Sequence, residues 1–200
     1  MPRDGTATRD RILDAAQKLV IDHGFAATSV DRVLEAAATS KGAFFHHFPS
    51  KIDLGRALVD RYAAADIAHL DAALVATAHL TDPVERALAF VRFFEDTADD
   101  LMTEQSNCLY ISVLTERDLA GADTGGPIRT AIVAWREGYA ELLRAALGDR
   151  ADSADVEALS DHLFVTFEGA FLLCRSTGDQ SHMRRQLAAY RRMVEALLRR

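Results

Sequence analysis

The stretch that most constrains this chain is residues 28–51, TSVDRVLEAAATSKGAFFHHFPSK, because starts and stops for short helices follow one another along it. Val30, Val33, Leu34 and Ala37 recur at i, i+3, i+4 and i+7, the spacing of a single apolar stripe on a short helix. Thr28 and Asp31 read as its capping box, each side chain answering an orphan backbone donor. Ala38, Thr39 and Ser40 break the pattern, and Ser40 is placed to cap a second short helix running to His47. Two short helices joined by a three-residue turn predict a helix-turn-helix.

The start of the second helix carries Ser40, Lys41 and Gly42: a hydroxyl, a positive charge and a residue without a side chain. Backbone N–H groups at a helix N-terminus already attract anions, so this end suits a phosphate backbone. Phe44 and Phe48, at i and i+4, can face inward and leave Phe45, His46 and His47 on the outer surface. Pro49 stops the helix, and Ser50 with Asp53 forms a second capping box for the next one. Lys51 falls in the first turn of that helix, where the dipole gives a cation little, which suggests that it serves a phosphate.

The run SKGAFFHHFPSK resembles the recognition helix and following linker of TetR-type bacterial transcription regulators, whose usual pattern is Ser-Lys-Gly-Thr-Leu-Tyr-Tyr/His-His-Phe, two spacer residues, then Lys. The resemblance covers about fifty N-terminal residues and is far more specific than a lone Gly-rich or Cys-pair signature. It implies an N-terminal DNA-binding domain at residues 1–50 and an effector-binding and dimerisation domain at residues 51–200. The DNA contacts it implies are Thr28, Ser29, Arg32, Ser40, Lys41, Gly42, Phe45, His46, His47 and Lys51. Three departures matter. Ala38 stands where the family usually has the turn glycine, which costs something if that residue is left-handed. Thr39 replaces an apolar turn residue, and Phe45 replaces a tyrosine whose hydroxyl commonly reaches a phosphate.

The net charge of −7 is unpromising for a DNA binder, so the distribution decides. Residues 1–56 hold 8 Lys/Arg against 7 Asp/Glu; subtracting these from 23 and 30 leaves 15 against 23 for the remainder, which carries the acidity. Nucleic-acid binding needs a local basic face rather than a basic protein. No apolar run approaches a membrane span, and MPRDGTATRD has no signal-peptide hydrophobic stretch, so a cytoplasmic chain with reduced thiols at Cys108 and Cys174 is expected.

The whole chain reads as all-α. Thr8 is a plausible cap for a first helix with an Ile12, Ala15, Ala16, Leu19, Val20 stripe that stops at Gly24. A long helix should run from Ser50 to about His79, and Asp82–Pro83 should open another through about Asp100. A shorter helix holds Cys108, Tyr110, Val113 and Leu114. Leu119–Pro127 reads as a flexible loop, followed by a helix ending at Gly148. Residues from about Ser153 to Arg175 form a helix apolar nearly all round, in which Gly169 and Ala170 would admit a close partner. The last helix shows a seam of Met183, Leu187, Tyr190, Val194 and Leu197, flanked by arginines expected to be solvated. Together these two helices read as a homodimer interface, as the resemblance also implies.

The body is rich in aromatic residues, and the resemblance implies a small-molecule effector bound within it. Candidate effector contacts are Phe90, Phe93, Phe94, Cys108, Tyr110, Trp135, Tyr139, Phe164, Phe167, Glu168 and Phe171, with Arg92 and Asn107 as further orienting groups. Cys108 reads as a buried thiol, with a reactive sensor as the alternative. The resulting expectation is a regulator, most simply a repressor, that binds a palindromic double-stranded operator as a dimer and is released by an apolar or amphipathic effector. Two other classes compete. A metal-dependent helical enzyme would use Asp66-x-x-His69 and Asp179-x-x-His182, although Asp179 follows Gly178 and falls outside a helix interior. An effector-free architectural protein would not need so aromatic a body. No phosphate-binding glycine loop, serine elbow or catalytic constellation is present, so neither a cofactor nor a catalytic or metal site is assigned.

Overall fold

The computed structural model describes residues 5–104, 108–116, 119 and 124–200, and the regular elements among them are helical. In chain order they are α1 (Gly5–His23), α2 (Val30–Ala36), α3 (Lys41–His47), α4 (Lys51–Thr77), α5 (Pro83–Asp96), α6 (Ala98–Glu104), α7 (Leu109–Leu114), α8 (Gly125–Leu147), a 3-10 segment (Gly148–Ser153), α9 (Val156–Thr177) and α10 (Ser181–Leu198). No described helix is long and apolar enough to cross a membrane. The backbone forms two compact units, Met1–Ala64 with Asn107–Arg129, and Ala65–Ser106 with Thr130–Arg200.

In the first unit, α1 buries Ile12, Leu13, Ala16, Val20 and Ile21. It shares a core with Val33 of α2, Phe44 of α3, Phe48, and Leu54 and Leu58 of α4. Each of these side chains other than Ala16 contributes about 1.5–3 kcal/mol when taken out of water, which is what holds helices as short as α2 and α3 in place. Helix α1 already begins at Gly5, so Thr8 lies inside it and is not its cap. It ends at Gly24, φ +84°, whose N–H reaches the Val20 carbonyl at 2.8 Å.

The cap of α2 also differs from expectation. Ser29 Oγ accepts from Arg32 N at 3.2 Å, whereas the Thr28 hydroxyl donates to the Gly24 carbonyl at 2.8 Å. Thr28 thus ties the entering loop to the end of α1, and the residue after it takes the cap. The expected cap of α3 is present, with Ser40 accepting from Ala43 N at 3.2 Å. Ala38, in the turn between them, has φ +46°, the left-handed region that usually calls for glycine.

Helix α7 belongs to this first unit although the sequence places it between helices of the second. Its following residue Glu116 accepts from Ala26 N at 3.1 Å, and Leu119 packs so closely that a Cβ on Gly55 would stand 2.6 Å from its Cδ2. Gly55 is therefore a close-approach glycine inside α4.

In the second unit, Asp82 caps α5 through Val84 N at 2.8 Å, with Pro83 in the first turn. The expected single helix to about Asp100 is interrupted at Thr97, whose hydroxyl turns back to the Phe93 carbonyl at 3.0 Å. Helix α8 starts at Gly125, inside the expected loop; residues 120–123 lie outside the described residues. Helix α9 starts later than expected, capped by Asp155 through Ala158 N at 2.9 Å after the 3-10 segment, and ends at left-handed Gly178.

The seam on α10 requires correction. Met183, Leu187, Tyr190 and Val194 are buried within their own chain, with Leu198 rather than Leu197 completing the row, because α5 and α9 already cover that face. Of the flanking arginines, Arg184, Arg185, Arg192, Arg199 and Arg200 are exposed as expected, and Arg191 alone among them is drawn in. Arg191 pairs with Glu95 in a largely buried bridge, Arg184 with Asp99 at 2.7 Å, and Arg199 with Glu85 and Glu195.

Candidate nucleic-acid interface and aromatic body

At 100° per residue, the buried pair Phe44 and Phe48 fixes which side of α3 faces out. Lys41, Gly42, Phe45 and His46 then share an outer arc of about 140°, and all four are exposed. His47 is half-buried about 100° further round the helix, outside that arc, its ring 5.1 Å from that of His46. A Cβ built on Gly42 meets nothing within 4 Å, so the arc has a bare backbone patch near its centre. Ser29, Arg32 and Ser40 are exposed at the helix-turn-helix termini, where the two serines cap and Arg32 Nη1 donates to the Ala27 carbonyl at 3.1 Å.

Two candidates have other engagements. Thr28 is buried and its hydroxyl is committed to Gly24, so it positions α2 rather than offering a surface contact. Lys51 folds back over the Phe25 ring, Nζ 4.3 Å from the centroid, and donates to the Ala26 carbonyl at 3.3 Å. Its charge therefore also steadies the loop entering α2. At the start of α4, the Ser50 hydroxyl both accepts from Asp53 N at 3.1 Å and donates to the Asp53 carboxylate at 2.7 Å. That hydroxyl hydrogen bond, with help from Arg56, holds Asp53 below the ordinary carboxylate range.

The expected effector residues divide between the units. Cys108 and Tyr110 are buried in the first, where the Tyr62 hydroxyl approaches Cys108 Sγ at 3.8 Å and the Tyr62 ring meets Tyr110 edge-on at 5.0 Å. The others lie in the second. Phe90 stacks on Tyr139 at 5.0 Å, and Phe94 touches Trp135 at 5.0 Å and Phe167 at 5.6 Å. Phe90, Phe94, Tyr139 and Phe171 are buried, whereas Phe93, Trp135, Phe164, Phe167 and Glu168 are half-buried. Arg92 is exposed, and Asn107 lies outside the described residues. Trp135 Nε1 donates to Asp66 Oδ1 at 3.0 Å, a partner that sequence reading missed because the two are 69 residues apart.

An open groove of about 560 Å³ exists elsewhere in this unit, lined by Leu147, Ala158, Leu159, His162 and Leu197 with Arg150 and Asp155, and by none of the expected aromatics. Burial pushes the Tyr139 phenol well up, reinforced by neighbouring Tyr190, and burial likewise raises Tyr190. Among the described residues, no three His, Cys, Asp or Glu side chains converge as metal ligands.

A family model described as bacterial regulatory proteins, tetR family, matches residues 12–58, which span most of α1, both helices of the helix-turn-helix and the start of α4. Over this stretch the chain carries the DNA-binding region of the TetR family. It is 26% identical over 174 residues to the transcriptional regulator AcuR of Cereibacter sphaeroides, covering 84% of this chain and 77% of AcuR. It is 29% identical over 143 residues to the HTH-type transcriptional activator FasR of Mycolicibacterium smegmatis, covering 62% of this chain and 63% of FasR. A TetR transcriptional regulator from Chloroflexus aurantiacus J-10-FL shares the fold over 96% of both chains, with a TM-score of 0.77 at 23% identity. The matched residues are the DNA-binding part of such regulators, which supports DNA-binding regulation, and what the chain resembles over its length are transcriptional regulators rather than enzymes. Members of the family typically dimerise and bind small-molecule effectors.

Proposed function

We propose that the protein is a dimeric repressor that holds a palindromic operator with two copies of α3 and leaves it when a small apolar or amphipathic effector binds the aromatic body. The observation that carries this reading is the outer arc of α3: Lys41, Gly42, Phe45 and His46 lie exposed around a bare backbone patch, on a helix whose other side is the core. Ser29, Arg32, Ser40, His47 and Lys51 flank that arc as phosphate-side contacts, and Thr28 supports them from inside. One such arc makes too few contacts alone. Two arcs related by twofold symmetry meet half-sites about 34–36 Å apart, and the operator mirrors that symmetry.

The second copy joins through α9 and α10. Val165, Leu172 and Leu173 remain exposed on α9 around Gly169, where an added Cβ meets nothing, and Met193 remains exposed on α10. Residues 1–50 thereby act as the DNA-binding part, and residues 51–200 as the effector and dimerisation part. The half-buried group Phe93, Trp135, Phe164, Phe167 and Glu168 forms the effector surface, backed by Phe90, Phe94, Tyr139 and Phe171. An effector moves the operator equilibrium only by its differential affinity for the two states.

Repression is the simpler outcome, since occupying a promoter blocks transcription without a further protein surface. That FasR is a transcriptional activator favours activation as the second reading. Acting on bacterial DNA assigns the chain to the cytoplasm.

The test begins with selection of bound duplexes from genomic fragments and footprinting of the pure protein. The expected footprint has twofold symmetry, and transcription from that promoter falls as protein is added; a rise would establish activation. A small molecule that releases the operator should change Trp135 emission over the same concentrations. Phe93→Ala or Phe167→Ala should weaken release while leaving operator affinity without effector nearly intact. Normal release in both variants, or release only after alkylation of Cys108, would replace the aromatic site with a thiol or partner-protein signal.

A further inference from the structure

We infer that Phe45 reads the C5-methyl group of a thymine in the operator's major groove. The inference rests on α3 being the element that meets DNA and adds what its central side chain recognises.

Phe45 is 43% exposed, whereas Phe44 and Phe48 beside it on the same short helix are 0% and 2% exposed. Its ring is braced from below, edge-on to Phe44 at 5.2 Å with 81° between the planes, so it is steadied on the helix surface. On the outer arc it lies at an angle between Lys41 and His46, next to Gly42. Side chains at the rims of such an arc reach phosphates; those at its centre meet base edges. With no Cβ at Gly42, the backbone beside the ring is open to that approach.

A large apolar ring exposed between a lysine and a histidine is poorly solvated until something apolar covers it. The base edges in the major groove offer nitrogen and oxygen donors and acceptors to every pair, and a single apolar group, the thymine methyl. A phenyl ring has no hydrogen-bonding atom with which to recognise any other feature there. Phe45 therefore selects an A·T pair by excluding water from that methyl, while Lys41 and His46, at the rims of the arc, hold the helix to the phosphates on either side.

The experiment uses the wild-type protein and an operator duplex recovered by selection from genomic fragments. Each thymine is replaced in turn by deoxyuridine, which lacks only the methyl, and affinity is measured at one fixed salt concentration. One position in each half-site should lose about four-fold in affinity per methyl removed, the equivalent of about 0.8 kcal/mol for one buried carbon. Phe45→Ala, with its thermal melting confirmed, should bind the thymine and uracil duplexes equally at that position. Lys41→Ala should bind both more weakly yet keep the four-fold difference. A flat uracil scan with wild-type protein, or a thymine preference that survives in Phe45→Ala, overturns the inference and leaves the ring to the deoxyribose or to packing. Failure to recover any sequence-specific duplex would overturn the DNA-reading role of α3 itself.

Discussion

Replacing Gly42 by alanine sets the stability of the DNA-binding unit against its grip on DNA. Gly42 is the second residue of α3, and a Cβ built there meets no atom within 4 Å. In the free protein the new methyl group points into open space and only improves a helix residue. Alanine is favoured over glycine by about 0.8–1 kcal/mol in a helix interior, and a first-turn position should keep roughly half of that. For a chain of this length, a gain of about 0.5 kcal/mol raises the melting temperature by roughly 1–2 °C. On the operator the same methyl stands between the backbone of α3 and the duplex. Overpacking of this kind costs about 1–3 kcal/mol at each contact, so two half-sites should weaken binding at least about thirty-fold. Thermal melting read beside fluorescence anisotropy on a selected operator, at one salt concentration, measures both signs. A variant that melts higher and binds as well as wild type would show that the outer arc of α3 is not the face that approaches DNA. One that melts lower would refute the open geometry around Gly42.

Ala38→Gly should stabilise the same unit by up to about 1 kcal/mol, because relief of a left-handed alanine, roughly 1–2 kcal/mol, outweighs the extra freedom glycine gives the unfolded chain. Ala38→Val should instead cost more than about 1 kcal/mol, and equal effects in denaturant melts would contradict the positive φ. Glu95→Ala should cost up to about 3 kcal/mol, since it leaves Arg191, 17% exposed, with only the longer ion pair to Glu195 at 3.8 Å; a loss below about 1 kcal/mol would mean that Glu195 or water already compensates the charge. The raised phenols of Tyr139 and Tyr190 give a pH signature: their contribution is complete below the ordinary tyrosine value near 10 and is lost as pH rises beyond it, by about 1.4 kcal/mol per pH unit for each group. Denaturant midpoints should therefore fall steeply between about pH 10 and 11, and less so in the Tyr139→Phe, Tyr190→Phe double variant.

What was legible in the sequence acts over three or four residues. The caps at Ser40 and Asp82, the Ser50–Asp53 pair and the division of α3 into a buried and an exposed side each follow from side chains that meet along one or two helical turns. Even the misreading at Thr28 stayed within one residue of the true cap at Ser29. Partners distant in the chain were not legible in this way. Glu116 meets Ala26 across 90 residues and Arg191 meets Glu95 across 96, and nothing in the periodicity of either helix names the other.

The same limit explains the α10 seam. A row at Met183, Leu187, Tyr190 and Val194 requires that something apolar cover it, and it cannot say whether the cover is a second copy or α5 of the same chain. Once α5 and α9 take that row, the apolar surface left over on α9 and α10 shifts to Val165, Leu172, Leu173 and Met193. The case for a partner then rests on side chains that the chain's own packing leaves uncovered, rather than on the helix with the most regular apolar pattern.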